Sequence, residues 1–233
     1  MTDSPPDDDP MGARYRFQCY QDKNHESCHQ LGAYLATYMK EGDKAKKVFK
    51  MNCDENNHVD SCFSVANMFF LGRGGEKNLD EACKYYEKGC RENHKKSCHT
   101  LGMLYLSESE KDSKQASLYF DKGCDNGCSR SCQQLSSMYI TGNEGVPKNM
   151  KKGFRYAKKG CMLGNPYACS NLSIMYARGE GVAKNEGIAE NIKKCVKELQ
   201  KDAQSMKSST QEEKSARLKE FRENISKLLP NAS

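Results

Sequence analysis

The stretch Lys88-Gly-Cys-Arg-Glu-Asn-His-Lys-Lys-Ser-Cys98-His-Thr-Leu-Gly-Met-Leu-Tyr105 shows the pattern on which the whole chain is built. Two cysteines lie a few residues apart, and a short apolar stripe follows the second one. Five such pairs occur, and corresponding cysteines of successive pairs are 34 to 37 positions apart. The pairs are Cys19/Cys28, Cys53/Cys62, Cys90/Cys98, Cys124/Cys132 and Cys161/Cys169. A repeat of this length predicts a stack of similar supersecondary units.

Each repeat contains two predicted helices. After the second cysteine, apolar residues recur at helical spacing, as at Leu101, Leu104 and Tyr105. A small residue follows the leading aliphatic in every repeat, which lets a neighbouring helix approach closely; these are Gly32, Ala66, Gly102, Ser136 and Ser173. Glycine-rich segments such as 72–75 end this helix, and a second helix then runs to the next cysteine pair. No alternating strand pattern is found, so the sequence predicts an all-α fold, an α-solenoid of about five helix-turn-helix units.

The cysteine pairs join the end of one unit's second helix to the start of the next unit's first helix. A link of seven or eight residues between antiparallel helices brings these ends within the Cα separation of a disulfide. We therefore predict five disulfides, Cys19–Cys28, Cys53–Cys62, Cys90–Cys98, Cys124–Cys132 and Cys161–Cys169. Each disulfide closes a small ring of the chain, here called a cysteine ring. On the chain-entropy model each cysteine ring contributes about 2.5 kcal/mol to the stability of the fold. The three remaining cysteines, Cys83, Cys128 and Cys195, are expected to stay thiols.

Metal binding is the alternative use of these cysteines. His25, His58 and His94 lie inside three of the rings, and Cys128 lies inside a fourth. Zinc in a structural site takes four ligands in tetrahedral geometry, whereas each of these rings supplies three. The fifth ring contains no third candidate at all. Structural disulfides are therefore favoured, and no metal site is predicted.

Composition excludes several classes of protein. The chain has 233 residues, a net charge of +6 and 36% apolar residues. The longest nearly apolar run, 65–71, is too short to span a bilayer. The positive charge is small and scattered, without the basic footprint of a nucleic-acid-binding protein. We therefore expect no membrane span and no nucleic-acid partner.

The two ends of the chain differ from the repeats. Residues 1–12 are rich in aspartate and proline and lack the features of a signal peptide, so a disordered acidic tail is predicted before a repeat array over 13–195. A stripe of Ile192, Val196, Leu199, Ala203 and Met206 then leads into the final segment, 196–233. There, Thr210 and Glu213 have the spacing of a capping box that opens an amphipathic helix with Leu218, Phe221, Ile225 and Leu228. This segment is predicted to cap the array, with a partner-binding helix as the alternative.

The stretch Gly164-Asn-Pro-Tyr-Ala-Cys-Ser-Asn-Leu-Ser-Ile-Met-Tyr-Ala-Arg-Gly-Glu-Gly-Val-Ala-Lys-Asn185 resembles a Sel1-like repeat, an αα unit related to tetratricopeptide repeats. The match recurs over residues 19–195. The bridging spacing resembles that of the cysteine-rich Sel1 subset, which includes bacterial proteins and animal factors for cytochrome c oxidase assembly. The resemblance implies a soluble protein of the mitochondrial intermembrane space, imported through the thiol–disulfide relay and acting on respiratory-chain assembly intermediates. The C-x8-C and C-x7-C spacings depart from the C-x9-C pairs of many relay substrates.

Three functions remain open at this point. The favoured one is a non-catalytic scaffold that acts as a monomer, binds proteins and needs no cofactor. The second is a β-lactam-binding or β-lactam-hydrolysing enzyme like bacterial relatives, although no serine has a lysine three positions on; Ser113-Lys114 and Ser226-Lys227 are only adjacent pairs. The third is a haem-binding chaperone with histidine and methionine ligands, which would lack a C-x-x-C-His attachment motif. A dithiol oxidoreductase would need a C-x-x-C motif, and none is present.

Overall fold

The computed structural model describes residues 9–107, 112–205 and 210–230, without the side chains of 203–205. These residues form twelve α-helices and no β-strand, which confirms the all-α prediction. The helices are α1 (Pro10–Tyr20), α2 (His25–Thr37), α3 (Gly42–Asn56), α4 (Val59–Leu71), α5 (Leu79–Arg91), α6 (Lys95–Leu104), α7 (Ser113–Asp125), α8 (Ser129–Thr141), α9 (Met150–Met162), α10 (Pro166–Arg178), α11 (Glu186–Ser205) and α12 (Gln211–Leu228). None of them, within the residues described, has both the length and the apolar character needed to cross a bilayer.

The helices follow one repeating scheme. A first helix starts within each cysteine ring, and a second helix ends at the next ring; the first helices are α2, α4, α6, α8 and α10. The second helices are α3, α5, α7 and α9, and α1 resembles them because it ends at Cys19. The helix α11 carries Cys195 at the corresponding place but continues to Ser205. The predicted α-solenoid of helix pairs is confirmed.

Contacts divide the chain into two compact units, 1–101 and 102–233. Within the first unit, α2 packs between α1 and α3, and α4 packs between α3 and α5. Within the second unit, α8 packs between α7 and α9, and α10 packs between α9 and α11. The first helices α8 and α10 also contact each other directly. Each unit therefore builds its core from helices that are consecutive in sequence.

The turn inside each cysteine ring depends on one residue with a positive φ. In the two longer rings this residue is the fourth after the first cysteine, Lys23 or Asn57. In the three shorter rings it is the third, namely Asn93, Gly127 or Gly164. A residue in the left-handed conformation ends a helix. The longer C-x8-C rings therefore differ from the shorter C-x7-C rings by one residue, which lies between the first cysteine and this turn.

Two glycines of the first helices, at the position that the sequence predicts to allow close approach of a neighbouring helix, make room for aromatic rings. A Cβ atom on Gly32 would lie 2.6 Å from the ring of Phe49, and one on Gly102 would lie 2.6 Å from that of Phe120. Both distances are shorter than any tolerated contact, so the rings pack directly on helix backbone. In the repeat where Ser136 replaces the glycine, the aligned residue of the second helix is only Ala157. The serine is therefore paired with a small side chain, and the glycines are paired with large ones.

The chain's N-terminal helix starts earlier than the sequence suggests. Asp9 is the N-cap of α1, where its carboxylate accepts hydrogen bonds from the backbone N–H groups of Met11 and Gly12, and Pro10 opens the first turn. Residues 10–12 therefore belong to the helix rather than to the predicted acidic tail. The rest of that tail, residues 1–8, lies outside the described residues.

The final helix, α12, packs within the second unit. Thr210 and Glu213 form the predicted capping box at its start. Its buried residues are Phe221 and Ile225, joined by Leu229 just beyond the helix rather than by Leu228. Leu218 covers Gly164. Of the stripe on α11, Ile192 and Val196 are buried, while Met206 and the side chain of Ala203 lie outside the described part of the chain.

Candidate protein-binding face

The structure contains disulfide bonds at the five pairs named above, with Cα–Cα distances between 4.5 and 4.8 Å. Each bond links the end of a second helix to the start of the following first helix. Cys83, Cys128 and Cys195 are not disulfide-bonded. All ten bridged cysteines are buried, so the bonds belong to the core of the repeats rather than to their surface.

In two of the repeats, the lysine that stands two residues before the first cysteine of a pair, in a Lys-Gly-Cys triplet, reaches the preceding second helix. The ammonium of Lys88 donates to the carbonyl of Cys53 at 2.7 Å, close to the end of α3. The ammonium of Lys159 lies 2.6 Å from the carboxylate of Asp125 at the end of α7. Because the C-terminus of a helix carries partial negative charge, these lysines favour the stacking of successive second helices.

The glycine of the same triplet makes room for a buried serine. A Cβ atom on Gly89 would lie 2.6 Å from Ser97 Oγ, on the first helix of the next repeat. In a longer ring Asn52 stands at this place instead, and its Nδ2 donates to Ser61 Oγ at 2.9 Å. The longer ring, with its one extra residue, therefore has an amide side chain directly before its first cysteine, where the shorter ring has a glycine.

Two chains of hydrogen-bonded side chains cross the rings of the first unit: Glu26–His58–Ser61 and Asp60–His94–Ser97. In the first chain, His58 Nδ1 lies 3.2 Å from Ser61 Oγ, and His58 Nε2 lies 3.2 Å from Glu26. In the second, His94 Nδ1 lies 2.8 Å from Ser97 Oγ, and His94 Nε2 lies 3.4 Å from Asp60. Each carboxylate belongs to the preceding first helix, so the chains link successive repeats.

These side chains have the residue types of a hydrolase triad but not its accessibility. Ser61 and Ser97 are both fully buried, so neither hydroxyl can reach a substrate in this structure. Both ring nitrogens of His58 and His94 are already in contact with a serine and a carboxylate. The described residues contain no group of three or more His, Cys, Asp or Glu side chains arranged to hold a metal ion. The arrangement supports helix packing rather than chemistry.

In four of the cysteine rings, the residue directly before the first helix is its N-cap. His58 Nδ1 accepts the backbone N–H of Ser61, so this histidine caps α4. Asn24 and Asn165 cap α2 and α10 in the same way. Cys128 occupies the same place before α8 but makes no capping hydrogen bond. The sequence contains a signal for this role, because a small residue follows three positions after each of these capping residues, where an N-cap side chain finds the backbone N–H that it binds.

Two buried histidines have shifted acidities. Burial lowers the pKa of His94, while the nearby carboxylate of Asp60 opposes this effect. Burial also lowers the pKa of His29, and the adjacent ring of His58, whose centroid is 5.3 Å away, lowers it further. Both imidazoles are therefore favoured in the neutral form.

The half-buried thiol of Cys195 lies between α11 and α12, beside the ion pair of Asp202 and Arg217. Burial raises the pKa of Cys195, and Glu198 adds to the effect. A thiol with a raised pKa carries little thiolate at neutral pH and is a poor nucleophile. This environment gives Cys195 no sign of redox reactivity.

A groove of about 550 Å³ lies between the first helices α2 and α4 of the first unit. Its walls carry small side chains, Ala33 and Ala36 on α2 and Ser64 on α4, and Phe49 and Met68 contribute apolar surface. Lys40, Asp43 and Arg73 supply charges of both signs at its edge. Repeat proteins of the solenoid type bind other proteins along surfaces formed by successive repeats, so this groove is a candidate site for a segment of another protein.

The groove residues were not identified from the sequence. Asn67, which also lines the groove, accepts a 2.6 Å hydrogen bond from the hydroxyl of Tyr86 and is thereby held in place. Asn67 and Ala33 share one register position, the fifth after the second cysteine, so the cysteine period relates these two groove residues without marking the groove itself.

A family model described as Sel1 repeat matches residues 59–94, 96–128, 129–165 and 166–191, more than half of the chain. Cytochrome c oxidase assembly factor 7 of Xenopus tropicalis is 34% identical over 199 residues, which cover 82% of this chain and 86% of the frog protein. The cytochrome c oxidase assembly factor 7 homolog of Drosophila melanogaster is 44% identical over 102 residues, 42% of this chain and 38% of the fly protein.

Among solved structures, a Sel1 repeat protein from Oxalobacter formigenes has a TM-score of 0.68 and 23% identity, over 78% of this chain and 76% of that one. This similarity supports the fold alone. The matched repeats contain both cysteines of three of the five pairs, and the frog relative extends the similarity over most of the chain. The chain therefore belongs to the Sel1 repeat family.

Proposed function

We propose that this protein is a non-catalytic repeat scaffold that binds partner proteins during the assembly of cytochrome c oxidase. The observation that carries the proposal is the 34% identity to the frog assembly factor over 82% of the chain. The groove between α2 and α4 supplies a binding face of suitable size and polarity. The partners of such a scaffold are assembly intermediates of the respiratory chain.

The mitochondrial intermembrane space is the compartment that we propose for the protein. Names of the relatives point to mitochondria, where cytochrome c oxidase is assembled. Five buried disulfides require an oxidising compartment, whereas cytosolic thiols are kept reduced. Import through the thiol–disulfide relay of this space would supply the oxidation. Protection from protease in intact mitochondria, and its loss once the outer membrane alone is ruptured, is the expected result; protection that persists in mitoplasts would contradict this placement.

The assembly role is tested by deletion and rescue. Cells that lack the protein are expected to lose assembled cytochrome c oxidase, measured by native gel electrophoresis, and the wild-type chain is expected to restore it. The variant Ala36→Arg, which fills the groove from an exposed position, is expected to fail in this rescue. Ala216→Arg, at an exposed position of α12, is the matched control and is expected to restore the enzyme. Normal oxidase levels in the deleted cells would remove the proposal.

A further inference from the structure

Stacked aromatic pairs fill one place in three successive repeats. In each pair, a ring at or just beyond the end of the first helix stacks on a ring of the following second helix, with centroids 5.4 to 5.8 Å apart. The pairs are Phe69–Tyr85, Tyr105–Tyr119 and Tyr139–Tyr156. In the first repeat the residues at the same register positions are Leu35 and Val48, so this repeat has no aromatic pair there.

The smaller side chains leave a cavity of about 270 Å³ among α1, α2 and α3. Leu31, Leu35 and Val48 line it and are buried, and the exposed ring of Tyr20 on α1 lines it as well. A cavity of roughly 150 Å³ with apolar walls is large enough to hold one benzene ring. Pockets for whole small molecules usually start at about 300 Å³. The volume therefore suits a single aromatic side chain.

The mouth of this cavity is positively charged. Arg16 on α1 and Lys44 and Lys47 on α3 lie around it, and Glu41 supplies one carboxylate, which pairs with Lys44 at 2.9 Å. Three cations and one anion leave an excess of positive charge at the opening. An occupant with acidic groups beside its ring would therefore be favoured over a neutral or basic one.

The register of Arg16 supports a ring as the occupant. Arg16 lies three residues before Cys19, and Lys50 lies three residues before Cys53, so the two residues correspond in successive repeats. The ammonium of Lys50 lies 5.7 Å from the centre of the Tyr85 ring, in a cation–π contact. A ring bound in the first repeat, at the place that Tyr85 fills in the second, would lie below the guanidinium of Arg16. Arginine makes such contacts more often than lysine does.

We propose that this cavity binds an aromatic side chain of a partner protein, presented on an acidic segment. The inference rests on the proposed function, because it supplies one anchoring contact between the scaffold and its partner. Buried aromatic anchors with a charged surround are the residues that contribute most to the affinity of protein interfaces. The site lies apart from the groove between α2 and α4, so the two contacts can be tested separately.

The test uses a tryptophan peptide, because this chain contains no tryptophan of its own. The probe is the acetylated and amidated peptide Asp-Glu-Trp-Glu-Asp, whose indole fluorescence shifts to shorter wavelength when the ring leaves water. We expect a saturable blue shift with the wild-type protein and at least tenfold weaker binding of the peptide Lys-Lys-Trp-Lys-Lys. Equal binding of both peptides would overturn the proposal.

Two variants locate the binding. Val48→Tyr restores the aromatic residue of the other repeats and fills the cavity, so it is expected to weaken binding of the acidic peptide at least tenfold. The matched control Ala216→Tyr places the same side chain at an exposed position of α12, away from the cavity and the groove, and is expected to bind like the wild type. Should Val48→Tyr fail to fold, as judged by circular dichroism, the surface variant Arg16→Glu with Lys47→Glu replaces it and is expected to lose binding. Unchanged binding by a folded cavity variant would refute the site.

A rescue experiment separates this inference from the proposed function. Cells that lack the protein receive either the wild type or Val48→Tyr, and assembled oxidase is measured. Restoration by the wild type but not by a folded Val48→Tyr supports both proposals. Restoration by both chains means that the cavity does not contact the partner, while the assembly role stands. Failure of the wild type itself to restore the enzyme removes the assembly role whatever the peptide binding shows.

Discussion

His94 shows how a single residue of the ring contributes to stability. Its imidazole is largely buried, contacts Ser97 on one side and Asp60 on the other, and has a pKa below the ordinary histidine value because of burial. When the pH falls through about 6.5, the ordinary pKa of histidine, His94 binds a proton in the unfolded chain but stays neutral in the folded chain. The unfolded state then binds more protons, so the contribution of His94 is present above this pH and is lost below it.

We therefore expect the free energy of unfolding to decrease as the pH is lowered from 7.5 to 5.5, and His94→Asn to reduce this decrease. Asparagine is found at the corresponding positions Asn24 and Asn165, where it caps α2 and α10, and it does not titrate. Urea unfolding at a series of pH values measures the effect. The variant His25→Asn, at an exposed position, serves as the control and should retain the wild-type pH dependence. A His94→Asn variant with the same pH dependence would contradict the assignment.

The contact between Gly32 and Phe49 gives a second prediction for single residues. Gly32→Ala places a methyl group against the ring and is expected to destabilise the protein by about 1–3 kcal/mol, as overpacked cores do. The double variant Gly32→Ser with Phe49→Ala reproduces the pair at Ser136 and Ala157. Its destabilisation is expected to be smaller than the sum of those of Gly32→Ser and Phe49→Ala measured separately, by about 0.5–3 kcal/mol in a double-mutant cycle of urea unfolding. Strict additivity would show that the two positions do not interact.

The helix starts illustrate what the sequence can and cannot predict. The capping box at Thr210 and Glu213 was predicted because both of its hydrogen bonds are local, and the structure contains both. The role of His58 was missed because a histidine inside a cysteine ring resembles a metal ligand, and only the position of Glu26 on the preceding repeat shows otherwise. Asp9 was assigned to the tail because its neighbours are acidic and proline-rich, although an aspartate before a proline also marks a helix start.

The binding surfaces were beyond the sequence for a different reason. The period of the cysteines predicts that Ala36 and Leu35 lie on a first helix, but it does not predict which neighbouring helix each side chain faces. That choice depends on the angles at which helices of different repeats pack. The groove at Ala36 and the cavity at Leu35 therefore became visible only when α1, α3 and α4 were placed around α2.

Helix α8 carries a cap that is open to improvement. Cys128 occupies its N-cap position without a capping hydrogen bond, whereas Asn165 accepts the N–H of Ala168 at the start of α10. Cys128→Asn is expected to stabilise the protein by about 1 kcal/mol, the usual value of a side-chain N-cap. Thermal unfolding under oxidising conditions measures the gain. Cys128→Ala, which also removes the thiol but cannot cap, is the control, and equal stability of both variants would show that the cap is not the cause.

At the scale of the whole molecule, the disulfides are comparable in energy to the stability of a domain. Each ring of nine or ten residues contributes about 2.5 kcal/mol on the chain-entropy model, so five contribute about 12 kcal/mol together. Native domains are stable by only about 5–15 kcal/mol in total. With 36% apolar residues, the chain has limited means to offset such a loss. Reduction is therefore expected to remove most of the folding free energy.

Two measurements on one sample test this expectation. Alkylation of the denatured but unreduced protein should label three of its 13 cysteines, Cys83, Cys128 and Cys195, and alkylation after reduction should label all of them, as read from the mass shift. The same reduction, carried out without denaturant, should abolish most of the helical circular dichroism signal, because the second helices lose their covalent link to the first helices that follow. A chain that keeps its helices with every thiol labelled would need no oxidising compartment. That result would contradict both the stabilising role of the bridges and the placement in the intermembrane space.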